Sequence, residues 1–161
     1  MKIIMSILKC LLEAVTFLLA LIGIINLYNM GYKLITNDDM AGFLGLYAYR
    51  INENNLSPDM NNNDFVIFEE NNGYMVGDIV LYNQNGSYRI GKINDNSNFI
   101  YTIKDNNTVY DKKFTSEDIV GKSLFTIKNF GKVYDFLISP LMLVIVVVGL
   151  IIYFILKPER K

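Results

Sequence analysis

Two stretches of this chain carry no charged side chain, Ala14 to Tyr32 and Phe136 to Leu156. Each is about twenty residues, the length an α-helix needs to cross a hydrocarbon core roughly 30 Å thick. They sit near the two ends of a 161-residue chain that is 52% hydrophobic, so the polar middle can form only one modest domain. The expected organisation is an N-terminal transmembrane helix and flank over 1–33, a central domain over 34–135, and a C-terminal transmembrane helix with a basic tail over 136–161.

Charge is uneven along the chain. Lys2 and Lys9 precede the first run, and Lys157, Arg160 and Lys161 follow the second. Leu34 to Asp135 holds nine basic and fourteen acidic residues and is net acidic. Basic flanks favour the cytoplasmic side, so the expectation is a two-pass protein of the cell membrane with both termini cytoplasmic and the middle domain outside. The first run is long and lacks a prompt small-x-small site, so it reads as an anchor rather than a cleaved signal peptide. Cys10 reads as an ordinary membrane-helix residue; it follows Lys9, where a lipid-carrying cysteine wants a small residue. Glu13 reads as a helix-end residue that snorkels to the interface.

Composition narrows the chemistry. The chain has no histidine, which removes the commonest general base near neutral pH and the commonest zinc ligand. It has one cysteine and no Gly-rich phosphate loop. No cofactor or metal is expected, and an acidic middle domain argues against nucleic acid as a partner.

The middle reads as β. Phe65 to Phe68, Asp78 to Tyr82, Tyr88 to Ile93, Phe99 to Ile103 and Ser123 to Ile127 are rich in strand formers or alternate apolar with polar. Asn72-Gly73 and Asn85-Gly86 fall between such runs and signal hairpin turns. Strands at this spacing suggest a small antiparallel barrel or sandwich. The apolar Gly42 to Tyr49 is either a segment resting on the lipid surface or one more strand.

Several fragments together carry a family resemblance. Pro58-Asp59-Met60-Asn61-Asn62-Asn63-Asp64-Phe65-Val66 is similar to the Pro-x-Ile-x-x-Gly-Asp-x-Val stretch of type I signal peptidases. Gly77-Asp78-Ile79-Val80 resembles their Gly-Asp-Ile-Val strand, and Tyr88-Arg89-Ile90 their His-Arg-Val or Lys-Arg-Val strand. Thr102 to Asn107 resembles their Thr-Lys-Gly-Asp-x-Asn loop, and Ile119-Val120-Gly121-Lys122 the Ile-x-Gly-Lys that follows. Gly131 to Leu137, then Ser139-Pro140, resembles the lead into the second membrane helix of the archaeal and ER-like branch.

The resemblance implies a mainly β fold, with a small antiparallel signal-peptidase-like domain flanked by two transmembrane α-helices. It also implies a serine endopeptidase that removes signal peptides, with a serine in Ser-Met-x-Pro activated by lysine or histidine. Here Asn55 stands at the serine position and Tyr88 at the base. An amide is no such nucleophile, and a phenol with a pKa near 10 is a poor base at pH 7. The family's acidic positions are kept as Asp105 and Asp111. Leu56, Ser57 and Pro58 are the expected substrate-binding residues. Three readings follow. The chain is an inactive member that binds signal peptides, exported segments or a partner peptidase; or an active peptidase with a relocated Ser57–Lys92 dyad; or a structural membrane-anchored β domain. Membrane lipid is a partner in each.

Overall fold

The computed structural model describes residues 2–36, 40–54, 56, 58–71, 73–98, 100–104 and 112–156. The chain divides into two compact units, Met1–Asp38 with Asp135–Lys161, and Asp39–Tyr134.

The first unit is helical, and the helix Gly131–Leu137 begins in the second unit and ends in the first. Helix α1 covers Lys2–Thr36, with Lys33 in its last turn, where a cation suits the negative end of the helix dipole. Its Cys10–Thr36 portion is long and apolar enough to cross a membrane. Helices α2 (Gly131–Leu137) and α3 (Pro140–Leu156) reach that length only as a pair, bent by 56°. The second charge-free run was expected as one unbroken helix, and the break has a local cause. Pro140 has no N–H to donate and is suited to the first position of a new helix. Ser139 serves both sides of the break. Its hydroxyl donates to the Phe136 carbonyl at 2.7 Å and accepts the Met142 N–H at 3.2 Å.

Helix α1 packs antiparallel on α3, with Gly23 facing Val146 and Leu19 facing Gly149. A Cβ built at Gly23 would lie 3.0 Å from Val146 Cγ1, so glycine is what lets the backbones approach. Nearby, Asn26 is fully buried, and its amide donates to the Leu137 carbonyl at 2.6 Å and to the Ile22 carbonyl at 3.0 Å. The carbonyls freed by the break thus find donors from Asn26 and Ser139.

The second unit is one eight-stranded antiparallel sheet. Its strands are β1 (Gly42–Phe43), β2 (Leu46–Arg50), β3 (Phe65–Glu69), β4 (Ile79–Gln84), β5 (Ser87–Ser97), β6 (Ile100–Lys104), β7 (Lys112–Phe114) and β8 (Ile119–Ile127). The spatial order is β1-β2-β3-β8-β4-β5-β6-β7. Among the described residues no ladder joins β1 to β7, so this is an open sheet rather than the expected closed barrel or separate-sheet sandwich. Both faces are apolar. Leu81 and Ile90 join Val66 and Phe68 on one face, while Val80, Tyr82, Ile93 and Ile103 cluster on the other. That is the period-2 alternation of strands buried on both sides.

The Asn85-Gly86 signal is realised as the β4–β5 hairpin, with φ of 54° and 81° at its two residues. Asn72-Gly73 is not a hairpin of that kind. Strand β8 lies between β3 and β4, so those two strands are not neighbours; Asn72 itself lies outside the described residues. Gly42 to Tyr49 forms the β1–β2 hairpin, turning at Leu44 (φ 53°) and Gly45 (φ 74°). Tyr47 and Tyr49 pack against the core, so most of this segment is strand rather than lipid-lying chain. At Gly121, where β8 passes the end of β3, a Cβ would lie 2.7 Å from the Glu69 carbonyl oxygen, and only glycine fits.

Candidate functional site

A strap, described over 51–54, 56 and 58–64, leaves the end of β2 and returns to start β3. Its shape is set by Asn63 and Asp64. Asn63 takes φ 72°, a left-handed conformation that asparagine tolerates, at the place where the signal-peptidase pattern has glycine. Asp64 is 2% exposed. Its carboxylate accepts the N–H of Asn61 at 3.0 Å and of Asn129 at 2.9 Å. Backbone bonds close the strap: Ile51 N–H to the Asp64 carbonyl at 2.9 Å, and Asn63 N–H to the Ile51 carbonyl at 2.8 Å. Asn63 also receives the N–H groups of Gly131 and Lys132, each at 2.8 Å.

The same device recurs twice. Asp78 before β4 accepts the Met75 N–H at 2.9 Å, and Asp118 before β8 accepts the Thr115 N–H at 2.8 Å. In all three, an aspartate opens a strand by holding the N–H three residues upstream.

Between this strap and the first residues of β5 lies a cavity of about 290 Å³. That is at the small end of ligand pockets, room for one or two side chains rather than a large cofactor. Its apolar wall is Ile51, Leu56, Met60 and Ile90. Its polar wall is Tyr49, Asn52, Glu53, Ser87, Tyr88 and Arg89. Leu56 and Met60 are buried and held together by the Met60 N–H donating to the Leu56 carbonyl at 3.1 Å. Tyr49 donates its hydroxyl to the Tyr88 carbonyl at 3.1 Å, which ties β2 to β5 across the cavity. Burial pushes the Tyr49 phenol above its ordinary pKa; nearby Glu53 pushes the same way and Arg89 opposes it. The phenol therefore stays protonated near neutral pH and acts as a donor.

The structure brings together two of the residues expected at the site, Leu56 and Tyr88. Pro58 is exposed in the turn of the strap and does not line the cavity. Asn55, Ser57, Asp105 and Asp111 lie outside the described residues. Lys92, the base of the alternative dyad, lies on β5 with its ammonium 3.7 Å from the Asp59 carboxylate. Among the described residues the cavity lining contains no lysine or histidine, the bases that the signal-peptidase resemblance implies. Tyr49, Ser87 and Arg89 were missed as site residues in the sequence. The pairing that brings β2 and β5 together spans 39 residues and leaves no local signature. Ser87 supplies a hydroxyl to the cavity, but a hydroxyl without a base remains a weak nucleophile.

Comparison with known proteins gives one family match. The model described as Peptidase S24-like matches residues 27–124, more than half of the chain, from the last turns of α1 into β8. No curated protein matches the chain.

Proposed function

The chain belongs to the Peptidase S24-like family, and from that membership we propose that it is a signal-peptidase-like membrane protein that binds exported segments without cutting them. The observation that carries this reading is the composition of the cavity. It keeps an apolar wall suited to small side chains of an extended peptide, and its polar wall presents phenols where the family needs a base. In this reading Asn55 and Tyr88 occupy the nucleophile and base positions as substituted residues. The buried Asp64 anchor supports the alignment that places Asn55 there. Shifting the alignment by two residues, to match Ser57 to the serine, would lose the match at Asp64, whose carboxylate holds the N–H groups of Asn61 and Asn129.

The protein is proposed to cross the membrane twice, through α1 and through the bent α2–α3 pair, with both termini in the cytoplasm. The antiparallel packing of α1 on α3 and the basic flanks at both ends support this. Lys92 is engaged by Asp59, which disfavours the relocated Ser57–Lys92 dyad.

The test is a cleavage assay in lipid, giving a preprotein with an ordinary signal peptide to the native chain and to Ser57→Ala and Lys92→Ala. The proposal predicts an uncut preprotein that co-purifies with the chain. Cleavage that disappears in either variant would establish the relocated dyad instead. Neither cleavage nor retention would leave a structural anchor.

A further inference from the structure

Asn63 joins the cavity to helix α2 through single residues. Ile51 lines the cavity, and its carbonyl accepts the Asn63 N–H at 2.8 Å. The Asn63 carbonyl accepts the Gly131 N–H, and the Asn63 Oδ1 accepts the Lys132 N–H, each at 2.8 Å. Asp64 adds a parallel link, since its carboxylate accepts the N–H of Asn61 in the strap and of Asn129 just before α2. All of these residues belong to the second unit, Asp39–Tyr134.

Helix α2 depends on these links. It has seven residues, fewer than the roughly 12–15 that an isolated helix needs to hold in water. The first N–H groups of a helix find no partner within it. Here Asn63 meets two of them. Phe65, next to Asp64, packs its ring on Phe130 and Tyr134 with centroids 5.8 and 4.6 Å apart. Gly131 sits so close that an added Cβ would lie 2.6 Å from Arg50 Cγ and 2.9 Å from the Asn63 carbonyl oxygen. The first turn therefore has two arrangements, docked on Asn63 or frayed from it.

The strap depends on the same links. Its Leu56 and Met60 form an isolated bridge rather than a strand, and with Ile51 they make up most of the apolar cavity wall. A side chain that fills the cavity adds contacts to all three and favours the arrangement that keeps Asn63 in place. We propose that occupation of the cavity and docking of α2 are coupled through Asn63, so that a bound exported segment steadies the first turn of α2 and a docked α2 tightens the cavity. Such coupling is reciprocal. It needs no change of fold, only a local opening that both sites bias.

The residue type at 63 matters to the link. Glycine, which the signal-peptidase pattern has there, takes a φ of 72° readily and offers a carbonyl, but it has no Oδ1 for Lys132. The side-chain cap on α2 is therefore a feature of this chain that the resemblance does not imply.

The inference rests on the cavity reading above, and its test separates the two. Amide hydrogen exchange is followed by mass spectrometry on the full-length chain in detergent micelles, for the native protein, Gly131→Ala, Asn63→Gly and Asn63→Asp. Without a ligand, Gly131→Ala pushes the first turn of α2 off Asn63. It is expected to speed exchange at Met60 and Asn61 about fivefold, the scale of one hydrogen bond, with the β4–β5 ladder unchanged. Should Gly131→Ala loosen that ladder as well, Asn63→Gly against Asn63→Asp makes the same comparison: the glycine removes the acceptor and speeds exchange at Lys132, Met60 and Asn61, and the aspartate restores it. With an uncut preprotein added, the native chain and Asn63→Asp are expected to slow at both the strap and Lys132, and Asn63→Gly at the strap alone. Strap exchange unchanged in both Gly131→Ala and Asn63→Gly overturns the coupling, whether or not the preprotein binds. Protection of the strap without Lys132 in the native chain, or equal protection of Lys132 in Asn63→Gly, also overturns it. A preprotein that protects neither, while the variants still loosen the strap, upholds the coupling and removes the exported segment as the occupant.

Discussion

Tyr49 donates its hydroxyl to the Tyr88 carbonyl at 3.1 Å, and this bond spans the cavity from β2 to β5. Replacing the phenol with Phe removes the donor and keeps the ring. Tyr49→Phe is expected to lower the unfolding free energy by about 1 kcal/mol, the usual net worth of one such bond. Urea titration of the full chain in detergent measures this. The same variant should hold exported segments less tightly, because the cavity wall loses its cross-strand tie.

The phenols also set an alkaline limit. Burial raises the pKa of Tyr49 and, as the largest cause, that of Tyr74 too. A group whose folded pKa lies above its unfolded value stabilises fully below the unfolded value, near 10 for tyrosine. That stability is lost as pH climbs through the folded value. The denaturation midpoint should therefore fall above about pH 10, and the double variant Tyr49→Phe, Tyr74→Phe should show a shallower fall.

Asp64 holds the strap by two backbone N–H groups, one of them on Asn129, 65 residues further along the chain. Asp64→Ala should destabilise the β domain by about 2 kcal/mol, since two part-buried backbone N–H groups lose their shared acceptor together. Asp59→Asn, which breaks the exposed pair with Lys92, should stay within about 0.5 kcal/mol. Thermal denaturation of the two variants side by side makes the comparison.

Much of this architecture was legible before any coordinates. The first charge-free run marks α1, a helix long and apolar enough to cross a membrane; the second is divided between α2 and α3 at the Ser139-Pro140 break. Apolar runs mark β3 and β4, alternation marks β5 and β6, and Asn85-Gly86 marks its hairpin because only such residues take positive φ in succession easily. The hairpin at Leu44-Gly45 was hidden because leucine seldom adopts that conformation. Strand β7 was hidden because Lys112-Lys113 gives no apolar alternation. The insertion of β8 between β3 and β4 was illegible for a different reason: sheet order depends on long-range pairing that local pattern does not record. The cavity was half legible. Leu56 and Tyr88 came from the family resemblance, whereas Tyr49, Ser87 and Arg89 reach it only through the fold.

In the helical unit, the buried Asn26 amide is the polar tie between α1 and the break after α2. Asn26→Leu should weaken helix association by about 1 kcal/mol, the scale of side-chain hydrogen bonds within membranes. Unfolding of the reconstituted protein in mixed micelles reads this out. Ser139→Ala should cost a similar amount, because it removes the cap of α3 and the donor to Phe136 together.

The central claim is that the cavity beside Tyr88 holds an exported segment. The most direct measurement is photo-crosslinking in membranes, with a benzoylphenylalanine placed at position 88 of the otherwise native chain and a matched probe at position 117. The account predicts a crosslink from 88 to the signal-peptide region of an uncut preprotein, and none from 117. Equal crosslinking from both positions, or none from 88 while the chain is membrane-inserted and folded, would contradict it.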